Sequence, residues 1–279
     1  TTTNGLASIF NEVKAQAKAK QYALIVGCHG TGWLFSEGKS RARTRYFGGT
    51  DHYFQTNIPT LAAAIEQAKM PMQFVMFDDC YMSNIEVAYE MRHATNYLIG
   101  CCSEIMAYGM PYKNIWKYLI QQKPNYQAVV NEFHKFYSIY QWPYGNIGVT
   151  DCSKVEEVAA RMKTINAATA NKANLIDWED IQRLDGYEKT IFFDMGDYVN
   201  KICTTPETQV LARDLHTALA QLVPYKSTTP YIYTALGELN YNTIRVNAYS
   251  GITISDPTKS DFEKALTTKK TTGWWKATH

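Results

Sequence analysis

Cys80 and His29 are the residues whose types and positions could carry out nucleophilic chemistry. An apolar run at residues 74–77 predicts a short buried strand, and Asp78, Asp79 and Cys80 follow it directly. Apolar residues at helical spacing begin soon afterwards, which places Cys80 between a strand and a helix. Open α/β sheets hold their chemistry at this carboxyl edge, where a helix N-terminus favours a thiolate. The competing interpretation is a structural cysteine in a strand-to-helix turn, the usual role of an isolated cysteine.

The segment around His29 repeats this arrangement upstream. Residues 22–27 form another apolar run, and His29 and Gly30 stand at its end. If the two strands are parallel neighbours, His29 and Cys80 emerge at the same edge of the sheet. Nucleophilic cysteine catalysis requires such a pair, brought together by the fold. Because Gly30 allows the backbone to approach a substrate carbonyl, the N–H groups of Gly30 and Cys80 are candidate oxyanion donors.

The elements that position these residues predict an α/β fold. Strands alternate with helices over the first hundred residues, which indicates a mainly parallel sheet sandwiched by helices. The third strand end brings Ser103 and Glu104 to the same edge. The expected helices span residues 6–20, 61–69, 84–92, 115–121, 126–140, 154–170 and 207–222, and the expected strands span 22–27, 74–77, 97–101, 147–151 and 250–255.

Composition excludes several classes of protein. Of the 279 residues, 46% are hydrophobic and 19% charged, and the net charge of +2 argues against a nucleic-acid partner. No apolar run approaches the roughly 20 residues of a membrane span, and no signal peptide is recognisable. The six cysteines form no CxxC pair, so neither a metal site nor a disulfide framework is indicated. A non-peptidase α/β hydrolase is disfavoured because the sequence contains no G-x-S-x-G motif.

A basic run lies between the two candidate catalytic strands. It alternates basic and small residues, with Lys39, Arg41, Arg43 and Arg45 as the basic positions. One interpretation is a solvated, charged surface loop. The other is a protease-sensitive loop, because exposed flexible segments are where proteolytic cleavage concentrates.

Taken in order, these motifs resemble the clostripain family of cysteine peptidases, which shares a caspase-like fold with caspases, gingipains and legumains. The resemblance starts from two apolar strands, one followed by His29-Gly30-Thr31-Gly32-Trp33 and the other by Asp78-Asp79-Cys80. It extends over nearly the whole chain through Ile58-Pro59, Ser103-Glu104, Tyr108-Gly109, Pro111-Tyr112, Val149-Thr150-Asp151, Phe193-Asp194 and residues 250–254. The resemblance implies a single caspase-like peptidase domain over residues 1–279, with a C-terminal α/β extension.

The resemblance also implies a role for each site residue. His29 would be the catalytic histidine, and Cys80 the nucleophile of an endopeptidase that forms a thioester acyl-enzyme. Asp78 would lie in the S1 pocket and select Arg or Lys at P1, since a carboxylate pairs with a guanidinium or ammonium group. Glu104 would form a second wall of that pocket, with a purely structural role as the alternative. A helix N-cap is the alternative for Asp78, and Asp79 is left without a role.

Members of this family mature by cleavage between the catalytic histidine and cysteine, so we expect the enzyme to cut itself in the basic loop 39–45. They usually carry further strands before the histidine strand, which implies an upstream segment or a separate N-terminal chain. Calcium is used by some members, but no loop of the D-x-D-x-D-G type is present, so no cofactor is expected and calcium is kept as the alternative. The implied location is secreted or at the cell surface of a bacterium. A catalytically silent caspase-like binding module is the competing function.

Overall fold

The computed structural model describes residues 2–35, 47–48, 55–170, 176–236 and 243–279. Its helices are α1 (Thr3–Gln16), α2 (Ile58–Gln67), α3 (Ile85–Met91), α4 (Tyr112–Leu119), α5 (Tyr126–Ile139), α6 (Val155–Thr169), α7 (Met195–Ile202), α8 (Pro206–Leu222), α9 (Ala265–Thr268) and α10 (Gly273–Thr278). Its strands are β1 (Tyr22–Gly27), β2 (Phe47–Gly48), β3 (Gln55–Thr56), β4 (Met72–Asp78), β5 (Tyr97–Gly100), β6 (Asn146–Asp151), β7 (Phe193–Asp194), β8 (Tyr225–Thr228), β9 (Tyr231–Tyr233), β10 (Thr243–Arg245) and β11 (Thr253–Ile254).

The main sheet of the described residues has five strands in the order β1-β4-β5-β6-β8. Strands β1, β4 and β5 run parallel, whereas β6 and β8 run antiparallel to their neighbours. The α/β class is confirmed, but the sheet is mixed, and the mainly parallel arrangement holds only for its first three strands. Two successive helices, α4 and α5, separate β5 from β6. A second helix returns the chain to the edge that it left, so β6 enters the sheet in the opposite direction.

Helices cover both faces of this sheet, as the alternating directions of the β4 side chains show. Val75 and Phe77 point into a core shared with α2, α3 and α6. Phe74 and Met76 point to the other face, into a core shared with α4 and α5. Successive side chains of a strand point to opposite faces, and each large apolar side chain buried in this way stabilises the fold by about 1.5–3 kcal/mol. The double burial fixes the position of β4, and therefore of the residues that follow it.

Several boundaries differ from those expected. Helix α1 begins three residues earlier than the predicted residue 6, because the Thr2 side chain accepts a hydrogen bond from the N–H of Gly5 and caps it. It ends at Gln16, four residues before the predicted end. The strand expected at residues 250–255 is reduced to β11, which pairs with the two residues of β7. Apolar patterning locates such elements but does not set where hydrogen-bonded pairing stops.

The C-terminal third packs against the segments that carry the candidate site. Thr253 of β11 forms a bridge with Asn84, which lies six residues after the end of β4. The indole N–H of Trp33 donates to Ser255 Oγ at 2.8 Å. Trp274 of α10 is fully buried. These contacts connect the residues after β1 and β4 to the C-terminal part. No helix in the described part of the chain has the length and apolarity needed to span a bilayer.

Candidate active site

The two candidate catalytic residues follow neighbouring parallel strands in matching register. Gly27, the last residue of β1, lies opposite Asp78, the last residue of β4. His29 and Cys80 each stand two residues beyond this pair. The carboxyl ends of parallel strands lie at one edge of a sheet, so the structure brings both residues to the edge where the sequence placed them.

Gly30 allows the turn after His29 to lie directly against the backbone of the segment that carries Cys80. A Cβ atom built at Gly30 would lie 2.4 Å from the carbonyl oxygen of Cys80 and 2.7 Å from Cβ of Asp79. Both separations are shorter than any side chain tolerates, so a larger residue would force the two strand ends apart. The glycine is therefore needed for the close approach of the two segments, whereas the sequence singled it out for approach to a substrate carbonyl.

The surroundings of Cys80 favour the protonated thiol. Burial raises its pKa to about 12, the N–H of Ile105 opposes the shift by hydrogen bonding, and the acidic groups nearby raise the pKa further. The expectation that a helix N-terminus would favour the thiolate is wrong, because α3 begins only at Ile85. The nucleophile therefore requires a base to remove its proton.

The residue after Cys80 has a strained backbone that the sequence did not reveal. Tyr81 has a φ of 62°, which a bulky residue rarely adopts. Its ring is buried and stacks on Phe192, with centroids 4.9 Å apart and an interplanar angle of 15°. Its backbone N–H donates to the carbonyl oxygen of Ser103 at 3.0 Å. Packing and hydrogen bonding thus hold the sharp turn that carries the thiol.

Asp78 is a half-buried carboxylate held by the loop before α4. Its Oδ1 atom accepts a hydrogen bond from the N–H of Met110 at 2.9 Å, and its Oδ2 atom accepts one from the hydroxyl of Tyr112 at 2.7 Å. Gly109, at a φ of 71°, leaves room for the carboxylate, since a Cβ there would lie 2.7 Å from Oδ1. The N-cap alternative is wrong for Asp78, because α3 is capped by Asn84. The carboxylate is thus held in place two residues from the candidate nucleophile.

Glu104 lies near Cys80, but its carboxylate is engaged by three donors. Oε1 accepts hydrogen bonds from the hydroxyls of Tyr81 at 2.6 Å and Thr234 at 2.9 Å, and Oε2 accepts one from the N–H of Ala235 at 2.8 Å. These bonds connect the strained turn to the segment after β9. The structure gives Glu104 a bracing contact with Tyr81 that sequence reasoning missed, since nothing in the local pattern pairs residues so far apart.

The remaining candidate residues are those of the basic run. Lys39, Arg41, Arg43 and Arg45 are outside the described residues. Within the described ranges, no group of three or more His, Cys, Asp or Glu side chains is arranged to hold a metal ion. Two further residues of the site were not predicted from the sequence. Ile105 contributes a backbone N–H to the Cys80 thiol, and Tyr112 donates its hydroxyl to Asp78. Tyr112 had a signal, since it stands in one of the matched motifs, whereas a backbone donor such as Ile105 leaves none.

Solved structures of related proteins share this fold. The X-ray structure of a secreted C11 cysteine protease from Bacteroides thetaiotaomicron, "iotapain", covers 100% of this chain and 77% of its own, with 42% identity and a TM-score of 0.89. A clostripain from Bacteroides thetaiotaomicron, solved with a peptide inhibitor, aligns with 84% of this chain over 99% of its own length, with 44% identity and a TM-score of 0.76. An inactive zymogen C11 protease from Parabacteroides distasonis aligns with 100% of this chain over 76% of its own length, with 28% identity and a TM-score of 0.81. The fold is thus that of caspase-like cysteine proteases.

The sequence model of the clostripain family matches residues 1–265. The chain therefore belongs to the clostripain family of cysteine proteases, and it is a hydrolase. No curated protein matches it significantly. The expected family, caspase-like fold and enzyme class are confirmed, and the alternative of a catalytically silent binding module is not supported.

Proposed function

We propose that the chain is an endopeptidase that cleaves after Arg or Lys, with Cys80 as nucleophile and His29 as base. The observation that carries this proposal is the matched register of β1 and β4, together with the close approach that Gly30 allows. His29 takes the thiol proton as the sulfur attacks the scissile carbonyl carbon, and it returns that proton to the departing amine. A thioester remains, and water activated by His29 hydrolyses it to release the acid and restore the thiol.

The backbone N–H groups of Gly30 and Cys80 are the proposed oxyanion donors. The carbonyl oxygen gains negative charge when the sulfur adds, and donors fixed in advance stabilise that charge without reorganisation. The tight contact between the His29 turn and the Cys80 backbone supports this assignment, because it leaves these N–H groups little freedom to move. Nucleophile, base and oxyanion donors all come from the protein. We therefore propose that hydrolysis needs no cofactor, and that calcium is not required for it.

Asp78 is the proposed determinant of basic specificity. Its carboxylate is fixed by the N–H of Met110 and the hydroxyl of Tyr112, two neutral donors that leave its negative charge available to a basic side chain. A related clostripain was solved with the inhibitor BTN-VLTK-AOMK, in which lysine stands next to the AOMK group. Glu104 would contribute its charge as a second wall of the pocket, although its oxygens already accept three hydrogen bonds.

Activation is proposed to occur by self-cleavage within the basic run at residues 39–45. An enzyme selective for Arg or Lys would accept this run as substrate, and a related C11 protease is known as an inactive zymogen.

We propose that residues 1–279 act as one peptidase domain with a C-terminal extension. Among the described strands β1 pairs with β4 alone, and its outward side could receive a strand from a separate N-terminal chain. The relative iotapain is described as secreted, which supports a secreted or surface location.

One experiment tests the nucleophile and the processing together. Wild type and Cys80→Ala are purified and incubated, then examined by mass spectrometry and assayed with peptide reporters carrying Arg, Lys or Ala at P1. We expect the wild type to cleave the Arg and Lys reporters and to be cut between residues 39 and 45. Cys80→Ala should lose reporter turnover by about 10⁴-fold or more and stay intact. Turnover by Cys80→Ala at the wild-type rate would refute the proposed nucleophile.

A further inference from the structure

Asp79 is a buried carboxyl group directly beside the proposed nucleophile. Its side chain is fully shielded from solvent, and its Oδ2 atom accepts a hydrogen bond from the Cys28 thiol at 3.3 Å. Its Oδ1 atom is also buried and has no hydrogen-bond partner among the described residues. Burial of a carboxyl oxygen without a partner is unfavourable, so the presence of this group requires an explanation.

Cys28 and Asp79 each immediately precede a member of the proposed dyad. Strands β1 and β4 keep parallel register up to the residues just before them. The hydrogen bond between the two side chains therefore joins the strand ends behind the dyad. The packing there is close, since a Cβ atom at Gly30 would lie 2.7 Å from Cβ of Asp79. A change in the Cys28–Asp79 contact would consequently move one strand end relative to the other.

We infer that Asp79 is a positioning residue: by bonding Cys28, it fixes the strand end that carries Cys80 against the strand end that carries His29. This inference rests on the proposed function, because it requires Cys80 and His29 to be the dyad. Proton transfer between thiol and imidazole depends on their separation, and a misplacement of about 1 Å can lower a rate by about 10²-fold. Asp79 itself is sealed from substrate, so its loss should act on kcat and not on KM.

The surroundings of Asp79 also set its charge. Burial raises the pKa of Asp79 to about 8, with the Cys28 hydrogen bond lowering it and the Asp78 carboxylate raising it. The other titratable groups that face it are Cys80, Cys101 just after β5 and Tyr112 of α4. Asp79 is therefore neutral at pH 7 and acquires its charge above about pH 8. That charge opposes the Cys80 thiolate, so the activity of the wild type should fall at alkaline pH.

The test compares Asp79→Asn with Asp79→Leu, two substitutions of similar size. Asparagine keeps a hydrogen-bonding group for Cys28 and cannot ionise, whereas leucine fills the space without a polar atom. For an Arg-P1 reporter, we expect Asp79→Leu to lower kcat by about 10²-fold with little change in KM. Asp79→Asn should retain most activity at pH 7, and it should lack the roughly tenfold loss expected of the wild type at pH 9 if only the neutral form is active.

Cys28→Ala and Cys28→Ser provide a second pair from the other side of the contact. The serine variant should keep kcat close to that of the wild type, and the alanine variant should lower it, so the inference stays testable if Asp79→Leu does not fold. Cys80→Ala is assayed alongside to separate two failures. If Cys80→Ala is active, the proposed function fails. If Cys80→Ala is inactive but the Asp79 and Cys28 variants share the wild-type kcat and pH profile, only the positioning role is overturned.

Discussion

Two of the places where the described part of the chain buries carboxyl groups can be compared: one is beside Cys80 at the sheet edge, and the other is between α3 and the C-terminal segment. The second place, here termed the sealed cluster, consists of Glu86, Asp256 and Lys269, each at most 9% exposed. The Lys269 ammonium donates to the backbone carbonyl oxygens of Asp256 at 2.7 Å and Thr258 at 3.0 Å. Glu86 Oε1 accepts the N–H of Ser255 at 2.7 Å. These bonds tie α3 to the chain that follows β11.

The sheet edge differs from the sealed cluster in its exposure. His29 is exposed, and Asp78 and Cys80 are half-buried, so a substrate can reach all three. In the sealed cluster, the side chains bond to backbone groups and to Trp274, whose indole N–H donates to Asp256 Oδ1 at 3.2 Å. Glu86 Oε2 and Asp256 Oδ2 are buried without a hydrogen-bond partner among the described residues. Buried polar groups stabilise a fold when the protein itself satisfies them. Groups with altered pKa at an accessible edge are instead available for chemistry.

The largest expected effect breaks the sealed cluster. Lys269→Met would leave two backbone carbonyl oxygens without their donor, and we expect the free energy of unfolding to fall by about 2–4 kcal/mol. The kcat of the folded fraction should not change, because the hydrogen bonds of Lys269 go to Asp256 and Thr258 and not to a proposed catalytic residue. Chemical denaturation and kinetics on one preparation measure both. Lys270→Met, an exposed neighbour, is the matched control. Equal stability of the two variants would show that the Lys269 bonds contribute nothing.

An effect of the opposite kind is expected at the edge. Asp78→Asn removes a negative charge but keeps an oxygen that can accept from Met110 or Tyr112, so the variant should fold normally. We expect kcat/KM for Arg and Lys reporters to fall by about 10²-fold, as when one partner of a desolvated charge pair is lost. Asp214→Asn, an exposed carboxylate of α8, serves as control. If basic reporters are cleaved by Asp78→Asn as fast as by the wild type, the S1 assignment is wrong.

The smallest expected effect is on the pH dependence of the unfolding free energy, through Glu86 of the sealed cluster. Burial, with the Asp256 carboxyl as a further contribution, raises the pKa of Glu86 to about 8. Unfolding returns this pKa to about 4.3, so between these values the folded state holds a proton that the unfolded state releases. The stabilisation is complete below about pH 4.3 and decreases as pH rises towards 8.

Glu86→Gln should therefore flatten the dependence of unfolding free energy on pH between 5 and 7, by at most about 1.4 kcal/mol per pH unit. Denaturant titrations at pH 5, 6 and 7 measure this slope. Glu66→Gln, an exposed position on α2, should leave the slope as in the wild type. A slope for Glu86→Gln that equals that of the wild type would mean that Glu86 is ionised in the folded protein.

Much of the candidate site follows from the sequence alone. Apolar runs that stop at polar residues placed His29 and Cys80 at strand ends, and the ordered motifs indicated the family that the comparisons confirm. For β4 this works because burial on both faces imposes a continuous apolar run on a central strand, whereas β1 is an edge strand that is only partly buried. The direction of β6 and β8 was not predictable, since apolar patterning is the same for parallel and antiparallel pairing.

Only the tertiary structure decided how the site residues are held. The contacts of Asp78 with Tyr112, and of Glu104 with Thr234, join residues far apart in sequence. The raised pKa of Cys80 comes chiefly from burial, which depends on every element packed around it. The sealed cluster was invisible for the same reason, since Glu86 and Lys269 are residue types expected at the surface. The sequence determined which side chains reach the edge, and the packing of distant segments determined their charge, geometry and accessibility.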